Sequence, residues 1–316
     1  MPSEPPALHA PARLLAAVEH LNVTVRMPDG EPALILDDVS MNFASGRCVG
    51  IVGESGSGKT TLGRVLAGLP GPGLTVEGSV RSHPRTGFMF QDAVSALNPV
   101  RRVSWQVDEA LRARGVPRAE RAALRLEYLA MAEVPEPEAL QRRYPHELSG
   151  GLAQRVLLAT VLAGQPELII ADEPTSALDA STQSQIVALL RRLMDEQHLG
   201  IMLITHDLAV AAHTCDELVV LYGGQIVEHG PTDQVLRTPA HPYTAALLRA
   251  LPSFDRPPGH LMPVPGAPPR VSSDRPPCPF SPRCERATDL CHLERPRQIR
   301  RTGTTVLCHH PIGAPA

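Results

Sequence analysis

Aromatic residues are scarce in this chain: one Trp, four Tyr and five Phe among 316 residues, with none before Phe43. No uninterrupted apolar run reaches the ~20 residues that a membrane-spanning helix needs. The start, MPSEPPALHAPARLL, lacks the basic end and apolar stretch of a secretory signal. The chain is therefore expected on the cytosolic side, with a membrane-embedded partner left open. Neither sign of charge is in excess: 30 Lys plus Arg stand against 33 Asp plus Glu, a net charge of -3. Such balance removes the electrostatic reason to expect nucleic acid as a partner. There is no internal repeat. What is present is a 43% hydrophobic share, enough for one large packed domain with a smaller appendage.

The six cysteines divide unevenly. Cys48 and Cys215 lie alone in apolar surroundings and are expected to be small buried core residues. Cys278, Cys284, Cys291 and Cys308 crowd into the end of the chain. In a cytosolic protein such a cluster reads as a metal or redox site before it reads as disulfides.

Residues 1–12 are rich in Pro and Ala and are expected to be a disordered tail. Short β-like runs, LNVTV and ALILDDVSMNF, follow, broken at Pro28-Asp29-Gly30 and Ser45-Gly46. CVGIVG reads as a buried strand entering a Gly-rich loop, with a helix from about Lys59 to Leu69 behind it. Residues 92–162 read as mainly helical. ELIIAD and LGIMLITHD have the length and apolar character of central parallel strands, with a helix, ASTQSQIVALLRRLMDEQ, between them. ELVVLYGGQIVEHG reads as two strands joined at Gly223-Gly224. This alternation predicts an α/β core with a helical insertion. Proline dominates after about Leu251, so 252–316 is expected to be an irregular appendage that needs something besides an apolar core to order it.

Residues 53–60, GESGSGKT, fit G-x-x-x-x-G-K-[ST] between an apparent strand and helix. The glycines let the backbone curl around phosphates and aim N–H groups at them. The following helix adds its positive end. Gly53, Ser55, Gly56, Ser57, Gly58 and Thr61 are thus candidate nucleotide ligands. Lys59 would reach the β- and γ-phosphates of ATP, and Thr60 would bind Mg²⁺. LIIADE ends an apolar strand in two carboxylates: Asp172 suits the Mg²⁺ shell, and Glu173 is placed to polarise an attacking water. Outside this company the pair would read as two solvated acids.

Leu148-Ser149-Gly150-Gly151, at the start of the predicted helix LAQRVLLATVLAG, resembles the signature of ABC ATPases. A Ser at a helix start followed by glycines makes an anion-binding end. The resemblance implies that Ser149, Gly150 and Gly151 cap the γ-phosphate held by a facing subunit, so hydrolysis requires a dimer. It also implies roles for Gln91 as the glutamine-loop residue at Mg²⁺, for Asp179 in the loop crossing between subunits, and for His206 as the switch histidine. Alone, His206 would read as a strand cap. The expected fold is then an α/β P-loop NTPase core with an antiparallel β-subdomain and a helical subdomain at about 92–162, the whole spanning 13–251.

FQDAVSALNP, YPHELSGG, ADEPTSALD and HPYTAALLRALP look like the ATPases of oligopeptide/dipeptide importers, a group with nickel-uptake relatives. The tail spacing C-x5-C-x6-C-x16-C resembles that group's C-terminal pattern. Four soft thiolates can hold a [4Fe–4S] cluster or Zn²⁺, or stay unligated; the resemblance favours the cluster. The implied partners are a second ATPase subunit (a paralogue or a copy), two transmembrane permease subunits and an extracytoplasmic substrate-binding protein. The implied place is the cytoplasmic face of the membrane. The chain departs from the pattern at Leu152, expected to affect packing more than phosphate contact. It also lacks an aromatic before Phe43, which leaves Val25 or Arg26 to meet the adenine. Trp105, the sole tryptophan, is expected in the core.

Overall fold

The structure, a computed structural model, describes residues 13–27, 30–83, 85–176, 178–250, 263–269, 277–301 and 303–313. The tail expected to be disordered, 1–12, lies outside them, as do 251–262 and 270–276 of the proline-rich stretch.

Along the chain run β1 (Leu14–Arg26), β2 (Pro32–Ala44), β3 (Cys48–Val52), α1 (Lys59–Leu66), β4 (Leu74–Arg81) and β5 (Thr86–Met89). The helical stretch follows as α2 (Ala93–Ala96), α3 (Val103–Ala113), α4 (Arg118–Met131), α5 (Pro137–Leu140) and α6 (Gly150–Ala163). Next come β6 (Leu168–Asp172), α7 (Ala180–Gln197), β7 (Gly200–Ile204), α8 (Leu208–Thr214), β8 (Glu217–Tyr222) and β9 (Gln225–Pro231). The chain closes with α9 (Thr232–Arg237), α10 (Pro242–Arg249), α11 (Asp289–Leu293), β10 (Gln298–Arg301) and β11 (Thr304–Leu307).

The main sheet has the order β10-β11-β9-β8-β3-β7-β6-β5. From β8 to β5 neighbouring strands are parallel, and β9, β11 and β10 continue the edge antiparallel. The runs CVGIV, LIIAD and GIMLI are buried at every residue. That is why they show no alternation: a parallel strand covered on both faces needs apolar side chains at every step. A separate antiparallel sheet, β2-β1-β4, packs with α1 on one face. The core there includes Leu21, Leu36, Phe43, Leu62 and Ile170. The other face carries α6 and α7 and the rest of the helical stretch. Helix α6 buries residues all round, including Val156, Leu158 and Leu162, as a helix at the centre of a layer must. Leu152 packs against this core, in line with a packing role.

Three expectations need amending. The end of the appendage is regular: β10 and β11 form a hairpin, and β11 pairs with β9, Thr305 opposite His229 and Val306 opposite Glu228. Fully buried Val306 pins this addition to the sheet. Trp105 is 36% exposed, with the Arg101 guanidinium 5.2 Å from its ring centroid, so it is a surface residue. Cys48 and Cys215 are buried but not alone, because their Sγ atoms lie 3.4 Å apart.

Candidate nucleotide site

Strand β3 stops where the chain must turn sharply. At Gly53, φ is +152° and a Cβ would run into the Leu221 carbonyl oxygen. At Gly58, φ is +101° and a Cβ would lie 2.6 Å from Leu36 Cδ2. Only glycine combines that backbone conformation with so close an approach. The loop between them is therefore pressed onto β2 and β8 and delivers the chain into α1 at Lys59.

Lys59 is only 7% exposed. Its Nζ donates to the carbonyls of Gly53 and Glu54, each at 2.8 Å. Burial lowers its pKa, opposed by the charges of Glu173, Asp172 and Glu54. Thr60 Oγ1 donates to Asp172 Oδ1 at 3.1 Å. Asp172, at the end of buried β6, has its carboxyl pushed above the usual range by burial, with the Thr60 hydrogen bond opposing. A buried carboxylate next to a hydroxyl is a hard oxygen donor set, and it fits Mg²⁺.

Glu173 leaves the strand in the left-handed region, φ +46°. This is a strained choice for a non-glycine residue, and such strain clusters at functional sites. Its backbone N–H donates to the Ile204 carbonyl at 2.9 Å, which anchors the turn to β7. Its carboxylate accepts from Gln91 Nε2 at 3.0 Å and lies 3.3 Å from His206 Nδ1. These groups face one cavity of about 610 Å³. Ser55, Gly56, Gly58, Lys59, Thr60 and Thr61 line one side, and Gln91, Glu173 and His206 the other. Ser57 is buried within the loop, and neither it nor Gly53 nor Asp172 lines the cavity.

Ile35 also lines this cavity, whereas Val25 and Arg26 do not. The apolar wall thus comes from β2, whose Ile35 carbonyl would lie 3.0 Å from a Cβ at Gly58. Nothing in the alternation of β2 marks Ile35 among its apolar neighbours, so sequence reasoning passed it over. Glu54 was missed likewise: its N–H donates to Tyr243 Oη at 2.9 Å, a partner far along the chain.

Ser149, Gly150, Gly151 and Asp179 are not among the residues lining the cavity. Ser149 is exposed and caps α6, its Oγ accepting from the Leu152 N–H at 3.4 Å. Asp179 caps α7 by accepting from the Ser181 and Thr182 N–H groups at 3.0 Å, and these bonds hold its carboxyl below the usual range, that from Thr182 most. A Cβ on Gly151 would lie 2.5 Å from Thr182 Cγ2, so the two helix starts adjoin.

Cys278, Cys284, Cys291 and Cys308 line a single pocket with His241, His309 and His310. Burial, foremost, and the other cysteines raise the thiols of Cys278, Cys284 and Cys308, the last to about 12. Among the described residues, no group of three or more His, Cys, Asp and Glu side chains is arranged to hold a metal ion.

The model of the ABC transporter family matches residues 36–176, and that of the oligopeptide/dipeptide transporter C-terminal region matches 227–291. The oligopeptide transport ATP-binding protein OppD of Salmonella typhimurium is 36% identical over 320 residues, covering 96% of this chain and 95% of that protein. The chain belongs to the oligopeptide/dipeptide ABC transporter family. Another relative, the dipeptide transport ATP-binding protein DppD of Haemophilus influenzae, is 39% identical over 301 residues, covering 89% of this chain and 91% of its own length. A solved structure of the ATP-binding cassette MJ0796, dimeric, post-hydrolysis and bound to ADP and Pi, aligns with TM-score 0.60 at 30% identity, over 69% of this chain and 99% of that one. This member of the family is an ABC-type ATPase with the expected α/β architecture. No described helix is long and apolar enough to cross a membrane.

Proposed function

We propose that this chain is the ATP-hydrolysing subunit that drives an importer of oligopeptides or dipeptides at the cytoplasmic face of a membrane. The observation that carries the reading is the meeting of Lys59, Thr60 and Glu173 with Gln91 and His206 around one cavity, with Asp172 behind it bonded to Thr60, while Ser149 and Asp179 stand outside it. Lys59 and the loop N–H groups bind the phosphates. Thr60, Asp172 and Gln91 would hold Mg²⁺, which neutralises phosphate charge when bound. Glu173 accepts the proton of the attacking water, with Gln91 and His206 fixing its carboxylate. Ser149, Gly150 and Gly151, with Asp179 nearby, serve the cavity of a facing ATPase, a paralogue or a second copy. The partners are that subunit, two permeases and a substrate-binding protein. In domain terms, 13–251 is the ATPase, with a helical part at 92–162, and 252–316 is the appendage.

The appendage pocket has the donor chemistry of a thiolate-held group. Four neighbouring thiols, two buried and two partly buried, are stabilised as thiolates by a cation. That the four thiols line one pocket is what supports a thiolate-held group there, read as a [4Fe–4S] cluster with Zn²⁺ as the alternative. Iron and sulfide measured on anaerobically purified protein test this. Four of each per chain is expected, and metal-free protein with a protease-resistant appendage contradicts it.

Purification of the chain with its membrane partners tests the function. A second ATPase and two permeases are expected to co-purify, and peptide with its binding protein should raise ATP turnover. Stimulation by nickel or a metal chelate instead would replace the peptide reading.

A further inference from the structure

Arg283 lies in the short turn Ser281–Arg283 immediately before Cys284. Its side chain is only 6% exposed. The guanidinium spans the Glu54 carboxylate with both terminal nitrogens, Nη1 to Oε2 at 2.6 Å and Nη2 to Oε1 at 3.1 Å. Nη1 also donates to Tyr222 Oη at 3.0 Å, Nη2 to the Val264 carbonyl at 3.3 Å, and Nε to the Pro265 carbonyl. The Glu54 bond, foremost, holds the guanidinium firmly charged. A buried two-pronged pair of this kind fixes direction as well as distance.

Glu54 is the second residue of the phosphate loop. Its carbonyl is one of the two on which Lys59 rests, and its N–H is held by Tyr243. Tyr222 and Tyr243, 4.4 Å apart between centroids, both meet Phe280, which lies between Cys278 and Cys284, at 5.2 Å edge-on and 5.4 Å tilted. Pro268 and Pro269 line a small pocket together with residues 54–57. The appendage thus meets the loop at the Glu54 carboxylate, through Arg283, and beside residues 54–57, through Pro268 and Pro269.

We propose that Arg283 is a positioning residue for the phosphate loop: the cysteine-bearing appendage sets the loop's grip on ATP by holding the Glu54 carboxylate. The inference rests on the ATPase reading above. It gives the appendage a task in the nucleotide cycle rather than a separate one.

The test is a double-mutant cycle on the full chain. The Kd for ATP with Mg²⁺ is measured by calorimetry, together with KM and kcat in the assembled importer and the melting temperature of each variant. Arg283→Gln is expected to raise Kd and KM on the order of tenfold, the size of one lost charge-assisted pair, with kcat at saturating ATP within about twofold. Glu54→Gln should do the same, and the double variant should add little to either. Arg283→Lys, keeping the charge without the fork, should fall between. Should Arg283→Gln fail to fold, the double variant leaves no lone buried charge and carries the test with Arg283→Lys. Variants that melt lower yet bind ATP as the parent does would overturn the proposal, as would additive losses. A parent chain that does not bind ATP would instead sink the ATPase reading, so the two failures are distinct.

Discussion

The phosphate pocket and the four-cysteine pocket are ordered by different forces. The first hangs on the ends of β3, β6 and β7, strands buried at every residue. Packing there is dense enough to hold Glu173 at φ +46° and Asp172 in a setting that disfavours its charge. The second is assembled from chain rich in proline, around few buried apolar groups, chiefly Phe280 and Val306, while Leu290 and Leu293 remain 39% and 76% exposed. Its order comes from specific ties: β11 on β9, Arg295 on Asp37 at 3.0 Å, Arg283 on Glu54, and whatever the four thiols hold. A site set on a core can carry strain because the core offsets it. One set on a thin segment must be tied down.

This contrast can be broken from either side. Lys59→Ala should have the largest effect, weakening ATP on the order of 100-fold by removing a charged phosphate ligand. The protease resistance of residues 277–313 should stay that of the parent. Calorimetry and limited proteolysis read the two halves, and an appendage that loosens with Lys59→Ala would mean that the two pockets are not separately ordered.

His241 probes the packing between them. It is 1% exposed, its Nδ1 accepts from the Tyr243 N–H at 3.0 Å, and burial lowers its pKa from 6.5 to about 3. The unfolded chain therefore takes up a proton below pH 6.5 that the folded chain refuses until about pH 3. Stability from this group is full above pH 6.5 and falls as pH drops, by about 2 kcal/mol at pH 5. Glu228 shifts the opposite way, raised by burial, so the parent is compared with His241→Gln, which keeps Glu228 in both. Denaturant unfolding at pH 7.5 and pH 5 should show a smaller acid loss in the variant. Equal losses would show that His241 does not resist protonation.

The smallest effect is expected at Ile35. Replacement by Ala removes partly exposed apolar surface and should weaken ATP about threefold to fivefold, with the appendage untouched. An unchanged Kd would remove Ile35 from the nucleotide contact.

The same contrast decides what could be read from sequence. The buried runs at 48–52, 168–172 and 200–204, with GESGSGKT and LIIADE at their ends, bring Lys59, Thr60 and Glu173 to the same pocket and Asp172 into a hydrogen bond with Thr60, because an apolar run and a motif are both local signals. Gln91 and His206 carry no such signal alone and were legible only through the ordered set. Arg283 and Glu54 are 229 residues apart, and no spacing rule joins them. The hairpin Gln298–Leu307 consists of two four-residue strands, largely polar, whose pairing with β9 is a tertiary event. Trp105 was misjudged because a large apolar ring is usually buried, while here a neighbouring Arg101 covers it at the surface.

The central claim is that Glu173 activates the water that splits ATP. ATP turnover and ATP affinity of Glu173→Gln, measured beside the parent in the assembled importer, test it most directly. Turnover is expected to fall by about 100-fold or more while the Kd for ATP stays within about twofold; turnover equal to the parent's would contradict the role of Glu173.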